Sequence, residues 1–386
     1  MTGITVFIDW ILFIPLACCV AYLFFYAAAS RFYRPPHYPL PRKLRRILVL
    51  FPAYSEDRVI VDTVRDFLNQ DYPKELYKVV VISDHMSEET DEALRRLPVS
   101  VLKARYADSS KAKALTFALE QVTESYDIIA IMDADNLTVP TFLFEINRAF
   151  DAGCQAVQAH RTGKNPDTDI AILDSISEEI NNGFFRSGHN AIGLSAGLSG
   201  SGMAFQGAWL RRNVGKLQTA GEDKELEALL LKERIHIQYL CGLPVYDEKV
   251  RKSDAIKNQR KRWIAVQFAA LRAALPDFPR AFLKGNWDYC DKILQWMLPP
   301  RLIQLAVVFG LTLLGILFLP FGASIKWCIL SCVQIMTMLL PVPGNLFNRK
   351  LLKAIVKVPQ LALLMIGNLF GMKGASKKFI HTEHGD

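Results

Sequence analysis

The sequence has few of the residues from which soft-metal and disulfide sites are built. It contains seven cysteines and seven histidines in 386 residues, and no two cysteines form a Cys-x-x-Cys pair. An odd number of cysteines, several of them inside apolar runs, is typical of small buried side chains in a reducing compartment rather than of a disulfide framework. The histidines are scattered without the spacing of metal ligands, so no zinc-type site is predicted.

Acidic residues are fewer than basic ones, 38 against 46, and the sequence has no motif for nucleic-acid binding. The net charge is +8, and the basic residues are concentrated beside apolar runs. That placement indicates contact with anionic lipid headgroups rather than with nucleic acid. Apolar residues make up 51% of the chain and are unevenly spread. The composition therefore predicts a membrane protein with a soluble middle.

Charged residues are absent from residues 10–30, a run of 21 positions. As a helix this run is about 31 Å long, enough to cross the hydrocarbon core. The small residues 27–30 resemble a cleavage site, so a signal peptide is the alternative, but the leader has no Lys or Arg and we predict an uncleaved anchor. Six basic residues follow between Arg31 and Arg46. The positive-inside rule then places residues 31–301 in the cytoplasm.

Two further charge-free runs lie near the other end of the chain. Residues 302–323 and 327–348 are each 22 residues long and predict a transmembrane hairpin that turns at 324–326. The last apolar stretch, 358–372, has 15 residues with lysines on both sides. Its length and its basic flanks favour a helix that lies in the cytoplasmic interface. A membrane-spanning helix is the alternative. Residues 286–298 form a second predicted interfacial segment.

The middle of the chain alternates short β-rich apolar runs with helical stretches. This order predicts an α/β domain with parallel strands and crossover helices. We divide the chain into an anchor and basic linker (1–45), a central domain (46–285), and interfacial helices with the hairpin (286–386). The predicted strands cover residues 47–51, 79–83, 99–102, 128–132, 156–159 and 235–240. The predicted helices cover residues 56–69, 89–96, 110–124, 141–151 and 170–185.

One acidic pair stands directly after a predicted buried strand. The apolar run 128–132 ends at Asp133 and Asp135. Ligands of open α/β sheets bind at such strand ends, and two hard oxygen ligands suit Mg²⁺ or Mn²⁺ carrying a diphosphate. The alternative is a simple loop cap. Asp167 and Asp169 form a similar pair with no strand before it, and we do not predict a metal site there.

Further polar residues fall at other strand and helix ends. Each group has a simpler interpretation: a turn, a helix cap, a solvated lysine or an interfacial anchor. In chain order the groups are Pro52-Ala-Tyr54-Ser-Glu56, Asp84 after the second strand, Lys111 at a helix start, Gly200-Ser-Gly202, Glu222-Asp223, and Gln259-Arg-Lys-Arg262-Trp263.

Taken together, these motifs resemble the membrane-bound inverting glycosyltransferases of family 2, which include cellulose, hyaluronan and poly-N-acetylglucosamine synthases. The resemblance covers about residues 47–267 and extends weakly to the segment around Thr382. The sequence departs from the family pattern at Met86, Glu88, Lys113, Thr116 and Gly221. These departures concern which nucleotide base and which sugar the donor carries. Every chemical group of the family motifs is still present.

The resemblance implies a GT-A fold, a Rossmann-like mixed sheet, and a role for each motif. Asp135 would bind Mg²⁺ or Mn²⁺, Asp223 would be the general base, and Arg262 would stabilise the leaving diphosphate. The donor, expected to be a UDP-sugar, would contact Pro52, Tyr54, Glu56, Asp84, Lys111 and Asp133. The acceptor would contact Gln259, Trp263 and Gly202.

The function predicted by this resemblance is sugar transfer from a nucleotide sugar to a lipid, a lipid-linked or a growing glycan acceptor at the cytoplasmic membrane face. A processive synthase that secretes its polymer is the first alternative, and three predicted spans are few to enclose a channel without self-association or an export partner. A non-catalytic nucleotide-sugar-binding scaffold is the alternative from another class, but a scaffold would not need Asp223. A sugar-nucleotide pyrophosphorylase would need a Gly-rich N-terminal signature that this sequence lacks.

Overall fold

An eight-stranded mixed sheet forms the centre of the molecule. The structure is a computed structural model that describes residues 3–165, 167–249 and 253–369. In chain order the strands are β1 Ile47–Tyr54, β2 Tyr77–Asp84, β3 Ser100–Ala104, β4 Ile128–Ile131, β5 Leu137–Thr138, β6 Ala156–Gly163, β7 Met203–Gln206 and β8 Ile237–Asp247. They are arranged in the order β3-β2-β1-β4-β7-β6-β8-β5.

Helices surround the sheet and continue beyond it towards the C-terminus. In chain order they are α1 Gly3–Ser30, α2 Ile60–Phe67, α3 Glu88–Arg95, α4 Lys111–Gln121, α5 Phe142–Asp151, α6 Asp169–Asn182, α7 Gly188–Ala191, α8 Gly207–Asn213, α9 Glu222–Lys232, α10 Ser253–Ala274, α11 Phe278–Leu283, α12 Trp287–Met297, α13 Arg301–Phe318, α14 Phe321–Leu339, α15 Arg349–Ile355 and α16 Val358–Leu369.

The two faces of the sheet bury separate cores. Successive side chains of a strand point to opposite faces, and β1 follows this rule. Val49 and Phe51 pack with α2 and α5 on one face, whereas Leu48 and Leu50 pack with α4, α8 and α9 on the other. All four side chains are fully buried. Because both faces are covered, β1 and β4 are apolar along their whole length, which is why the sequence predicted these two strands.

The sheet opens at the end of β1. This strand pairs with β4 only from Ile47 to Leu50, but with β2 as far as Tyr54 opposite Asp84. Beyond Leu50 the strand therefore has no ladder partner on its β4 side. Pro52, which has no N–H to donate, fits such a position. The result is a crevice at the carboxyl ends of β1 and β4, where α/β sheets bind ligands.

The predicted mixed sheet is confirmed, with differences in detail. The strands β5 and β7 were not predicted, because two and four residues are too short for a clear pattern, and β7 runs antiparallel to both of its neighbours. The predicted strand 235–240 is longer in the structure and reaches Asp247. The predicted helix 170–185 ends as α-helix at Asn182 and continues as a π-helical turn, Gly183–Ser187.

Among the residues that the structure describes, three helices, α1, α13 and α14, are long and apolar enough to cross a membrane. The predicted turn at residues 324–326 is wrong, because the chain turns at Pro320 and Lys326 lies inside α14. The reason is its partner: the Lys326 amine pairs with Asp9 of α1, and Trp327 Nε1 donates to the other Asp9 oxygen at 2.8 Å. The predicted start of the first span at residue 10 is too late for the same reason, since α1 includes Asp9.

Helix α12 joins the anchor to the sheet domain. Tyr22 and Tyr26 of α1 donate hydrogen bonds to Asp291 at 3.0 and 2.6 Å. The next residue, Lys292, is buried and pairs with the buried Glu227 of α9 at 2.6 Å. On its other side α12 exposes Trp287, Leu294 and Met297, as an interfacial helix would. Contacts therefore cross residue 286, and the boundary placed there stays a prediction.

The last described helix, α16, has 12 residues, or about 18 Å of rise, and packs against α10 and α13. It is shorter than the predicted stretch 358–372, part of which lies outside the described residues. The motif around Thr382 also lies outside them.

Candidate active site

A cavity of about 710 Å³ opens from the sheet crevice and extends among the C-terminal helices. Its volume is at the upper end of the range for small-molecule sites. Its polar end is lined by the carboxyl ends of the strands and its other end by α6, α13, α14, α15 and α16. Eleven of the twelve predicted site residues line it: Pro52, Tyr54, Glu56, Asp84, Lys111, Asp133, Asp135, Asp223, Gln259, Arg262 and Trp263.

A lysine connects three separate motifs at the polar end. Lys111 is the first residue of α4, and Ser110 caps that helix by accepting a hydrogen bond from Lys113 N. The Lys111 amine pairs with Asp133, donates to the Gly200 carbonyl at 2.9 Å and lies 3.8 Å from Glu222. One cation thus holds the strand end, the glycine turn and the first turn of α9 together.

The surroundings of Asp133 keep this carboxylate charged. Burial would raise its pKa, but Lys111 and Arg161 outweigh burial and lower the pKa to about 2. Arg161, on β6, is itself fixed by Asp247 at 2.8 Å and by the Ser199 carbonyl at 2.9 Å. The sequence reasoning missed Arg161, because no local pattern marks one arginine in a strand as facing a site.

Asp135 is 4% exposed and is held by two donors. The backbone N–H of Glu248 donates to one carboxylate oxygen at 2.7 Å, and the Asn136 amide donates to the other at 3.2 Å. The described residues contain no group of three His, Cys, Asp or Glu side chains that could hold a metal. Mg²⁺ commonly takes only one or two carboxylates and completes its shell with water and substrate phosphate. The pair Asp133 and Asp135 therefore fits a divalent cation that arrives with a diphosphate.

The two acidic residues at the start of α9 differ in environment. Asp223 is 21% exposed at its side chain, which accepts a hydrogen bond from Lys224 N at 2.8 Å. The Glu222 side chain is only 8% exposed and faces Lys111. Burial raises the Glu222 pKa to about 7, with Lys111 opposing and the Asp223 charge adding to the rise.

Helix α10 closes the cavity against this acidic turn. Gly221 stands where the family pattern has a threonine, and a Cβ there would lie 2.1 Å from Val266 of α10. The departure at Gly221 thus follows from packing. Burial lowers the pKa of Arg262, while the charges of Glu222, Asp133 and Asp223 oppose the fall, so the guanidinium lies in the field of all three acids.

Two other α10 residues bear on the acceptor side. Gln259 Oε1 is buried and accepts no hydrogen bond from the described residues. The Trp263 ring lies 4.8 Å from the Arg260 guanidinium, in a cation–π contact. An unsatisfied buried acceptor and an aromatic face on the cavity wall are suited to a hydroxyl-bearing ligand.

The predicted nucleoside residues lie at the opposite rim, where β1 and β2 end. Asp84 is 4% exposed, and its carboxylate lies 2.6 Å from His85 Nδ1. The Tyr54 and His85 rings are 5.2 Å apart between centroids. Ser55 and His85 both adopt positive φ, of 52° and 57°, so each strand turns sharply at the cavity rim.

The structure does not bring Gly202 into the cavity lining. Its φ is +62°, and an added Cβ would lie 2.9 Å from Val245 of β8. Packing against the sheet thus accounts for this glycine, and its neighbour Gly200 is the one on the cavity wall. The discounted acids Asp167 and Asp169 are also outside the lining. Asp169 begins α6, which Thr168 caps by accepting from Ala171 N at 3.1 Å.

This mixed sheet with a cavity at its strand ends is the GT-A fold of nucleotide-sugar transferases. The structure is similar to that of the mannosyltransferase PcManGT from Pyrobaculum calidifontis, solved in complex with GDP-Man and Mn²⁺. The TM-score is 0.58 at 17% identity, covering 93% of this chain and 99% of that one. The predicted GT-A fold is confirmed.

The chain belongs to the family described as Glycosyltransferase like family 2, which it matches over residues 44–265. It is 27% identical over 242 residues to the β-monoglucosyldiacylglycerol synthase of Trichormus variabilis, a match that covers 60% of this chain and 51% of that protein. It is 28% identical over 102 residues to the probable glycosyltransferase YdaM of Bacillus subtilis, covering 25% and 24% of the two chains. The chain thus spans about half the length of the first of these relatives. The narrower resemblance to cellulose and hyaluronan synthases stays a prediction.

Proposed function

We propose that this chain transfers a sugar, with inversion, from a UDP-sugar to a lipid or lipid-linked acceptor at the cytoplasmic membrane face. One observation carries the proposal: a single cavity has strand-end carboxylates and buried cations at one end and apolar side chains of the C-terminal helices at the other. A nucleotide sugar needs the first environment, and an acyl or prenyl tail needs the second. The lipid acceptor of the Trichormus relative agrees with this.

The donor side of the mechanism rests on buried positive charge. The diphosphate gains negative charge as the glycosidic bond breaks. Lys111 and Arg262 are preorganised on the cavity wall and stabilise that charge where water is excluded. Lys111 stays protonated, because Asp133 and Glu222 raise its pKa against the effect of burial. Removing either cation should slow the chemical step more than it weakens donor binding.

Asp135, with Asp133, would hold Mg²⁺ or Mn²⁺ beside the diphosphate. The cation supplies Lewis-acid stabilisation of the leaving oxygen when it is bound. Asp133 is suited to this position, because its lowered pKa keeps it anionic throughout the physiological range. The Glu248 N–H and the Asn136 amide orient the Asp135 carboxylate before any ligand arrives.

Asp223 is the proposed general base, which takes the proton of the acceptor hydroxyl as that oxygen attacks the anomeric carbon. Glu222 is the competing candidate, since a pKa of about 7 suits proton transfer at neutral pH. The geometry favours Asp223, whose side chain is 21% exposed on the cavity, over Glu222, which is 8% exposed and faces Lys111. Gln259 would orient the acceptor through its unsatisfied oxygen.

The test is release of nucleoside diphosphate by the purified chain in detergent. A panel of nucleotide sugars is combined with Mg²⁺ or Mn²⁺ and with lipid acceptors, and product length is read by mass spectrometry. Transfer of one sugar to a lipid supports the proposal. A ladder of long products would instead favour the processive synthase, and nucleotide binding without turnover would favour the scaffold.

The membrane orientation has its own test. The positive-inside argument places residues 31–301 in the cytoplasm. A reporter inserted at the exposed Gly215 should be active only in the cytoplasm. Activity on the other side would refute the proposed orientation.

A further inference from the structure

We propose that the acceptor is a membrane lipid that carries a phosphate group, bound by Arg301 with the help of Arg260. This inference rests on the proposed function and names the acceptor class of the same site. It goes beyond the monoglucosyldiacylglycerol in the name of the Trichormus relative, because it adds a phosphate group to the acceptor.

Arg301 is a cation that pairs with no carboxylate of the described residues. It is the first residue of α13 and lines the cavity. One guanidinium nitrogen, Nη2, donates to the Ser177 carbonyl at 3.2 Å and to the Ser177 hydroxyl at 3.1 Å. The other, Nη1, is buried and has no acceptor within the described part of the chain. No carboxylate among the described residues pairs with Arg301, so a buried charge lacks compensation, which is costly unless a ligand supplies it.

Arg260 continues the positive surface towards the predicted acceptor platform. Its guanidinium reaches the same Ser177 hydroxyl at 3.3 Å, lies 4.8 Å from the Trp263 ring and pairs with Asp174 at 2.6 Å. The carboxylate of Glu178 is already paired with Arg186 at 2.8 Å. Around Ser177, the carboxylate of Asp174 pairs with Arg260 and that of Glu178 with Arg186, so the positive charge of Arg301 remains for an anion.

A further unsatisfied donor lies on the wall of the same cavity. Trp296 is 2% exposed, and its indole Nε1 has no acceptor in the part of the chain that the structure describes. Two donor atoms without partners and a net positive charge fit an oxygen-rich anion. A guanidinium binds such an anion through parallel hydrogen bonds.

The surroundings identify the anion as a lipid headgroup. Beyond Arg301 the cavity wall becomes apolar. Leu302, Leu305 and Met338 belong to α13 and α14, which are long and apolar enough to cross a membrane, and Ile180, Ile355 and Leu361 of the shorter helices α6, α15 and α16 complete this wall. Arg301 is the first residue of α13, and if α13 crosses the bilayer this helix end lies near the lipid phosphates. A lipid with its phosphate at Arg301 would therefore place its tails among the helices and its polar end towards Trp263.

The experiment compares two probe lipids of identical acyl chains, phosphatidic acid and diacylglycerol, on the full chain in detergent. Binding of each is titrated by fluorescence, and UDP binding is measured on the same preparation. We expect phosphatidic acid to bind more tightly. Arg301→Gln should weaken phosphatidic acid binding about tenfold or more, as expected for a lost charge-assisted hydrogen bond. Diacylglycerol and UDP binding should stay unchanged, which also shows that the variant is folded.

Two further variants sharpen the test. Arg301→Lys keeps the charge and should retain most of the preference for phosphatidic acid. Arg272→Gln, which removes an exposed arginine of the same helix as Arg260, should change nothing. Equal binding of both lipids, or an equal loss of both in Arg301→Gln, would overturn the inference. If equimolar inorganic phosphate displaces phosphatidic acid, the site binds free phosphate and the proposal of a lipid ligand is overturned. If the chain without any substitution fails to bind UDP, the proposed function is refuted instead.

Discussion

Adding one methyl group at Gly221 should uncouple donor binding from sugar transfer. The residue precedes α9, and its φ of −116° is open to any amino acid, so the backbone does not require glycine. The packing does require glycine, because an added Cβ would lie 2.1 Å from Val266 Cγ1. Ordinary carbon–carbon contacts are about 3.5–4.0 Å, so α9 and α10 would have to separate by about 1.4 Å or more.

That separation acts on the two halves of the site. The turn with Glu222 and Asp223 belongs to α9, whereas Arg262 and Trp263 belong to α10. Overpacking of this size costs about 1–3 kcal/mol of stability. A misplacement of about 1 Å between reacting groups can cost about 10²-fold in rate. Gly221→Ala should therefore lower kcat about 10²-fold, while UDP affinity, which we assign to residues at the ends of β1, β2 and β4, should change little.

The assay measures kcat, UDP affinity and the melting temperature of Gly221→Ala with two companions. Gly215→Ala is the matched control, because an added Cβ there meets nothing within 4 Å. The double variant Gly221→Ala, Val266→Ala removes the clashing methyl groups and should recover most of the lost rate. If Gly221→Ala behaves like Gly215→Ala, or if the double variant is worse than the single one, the packing argument is refuted.

The remaining predictions concern the acidic residues. Asp223→Asn keeps the size of the side chain but cannot accept a proton, so turnover should fall about 10²- to 10⁴-fold with donor affinity unchanged, whereas Glu222→Gln should cost clearly less; the reverse order would make Glu222 the base. Asp135→Ala should abolish transfer and weaken Mn²⁺-dependent UDP binding, and Asp167→Ala should do neither; equal effects would show that the wrong pair was chosen. Because the folded-state pKa of Glu222 is raised from 4.5 to about 7, its contribution to stability is full below pH 4.5 and is lost as the pH rises through 7. Melting temperatures from pH 4.5 to 8 should therefore fall more steeply for the natural chain than for Glu222→Gln, and parallel curves would contradict this pKa.

The sequence predicted those parts of the site that follow strong local patterns. Asp133 and Asp135 stand after a buried strand, and Asp84 ends another, so strand-end logic located them. Gln259, Arg262 and Trp263 were found through their order in the family pattern. The geometry now places these side chains on one cavity, and their roles remain predictions.

Other residues of the site have no local signal. Arg161 is one of several arginines in polar surroundings, and only the pairing of β6 with β8 brings it to Asp247. Arg301 and Ser177 are 124 positions apart, and their contact depends on how α13 packs against α6. The turn at Pro320 was missed because Lys326 was interpreted as a loop residue, although a buried partner on α1 lets a lysine lie inside an apolar helix.

The hydrogen-bonded path through α12 means that the anchor does more than tether the domain. Asp291 accepts from two tyrosines of α1, and the adjoining Lys292 pairs with Glu227, one helical turn from Asp223. A chain shortened to begin at Ile47 would leave the Asp291 carboxylate without these two donors, although His189 and the Lys292–Glu227 pair would remain. If α1 crosses the bilayer as predicted, its position in the membrane is passed to α12 through Asp291 and from α12 to α9, which carries the proposed base. Rates should therefore be compared between samples in which the detergent or lipid layer has the same thickness.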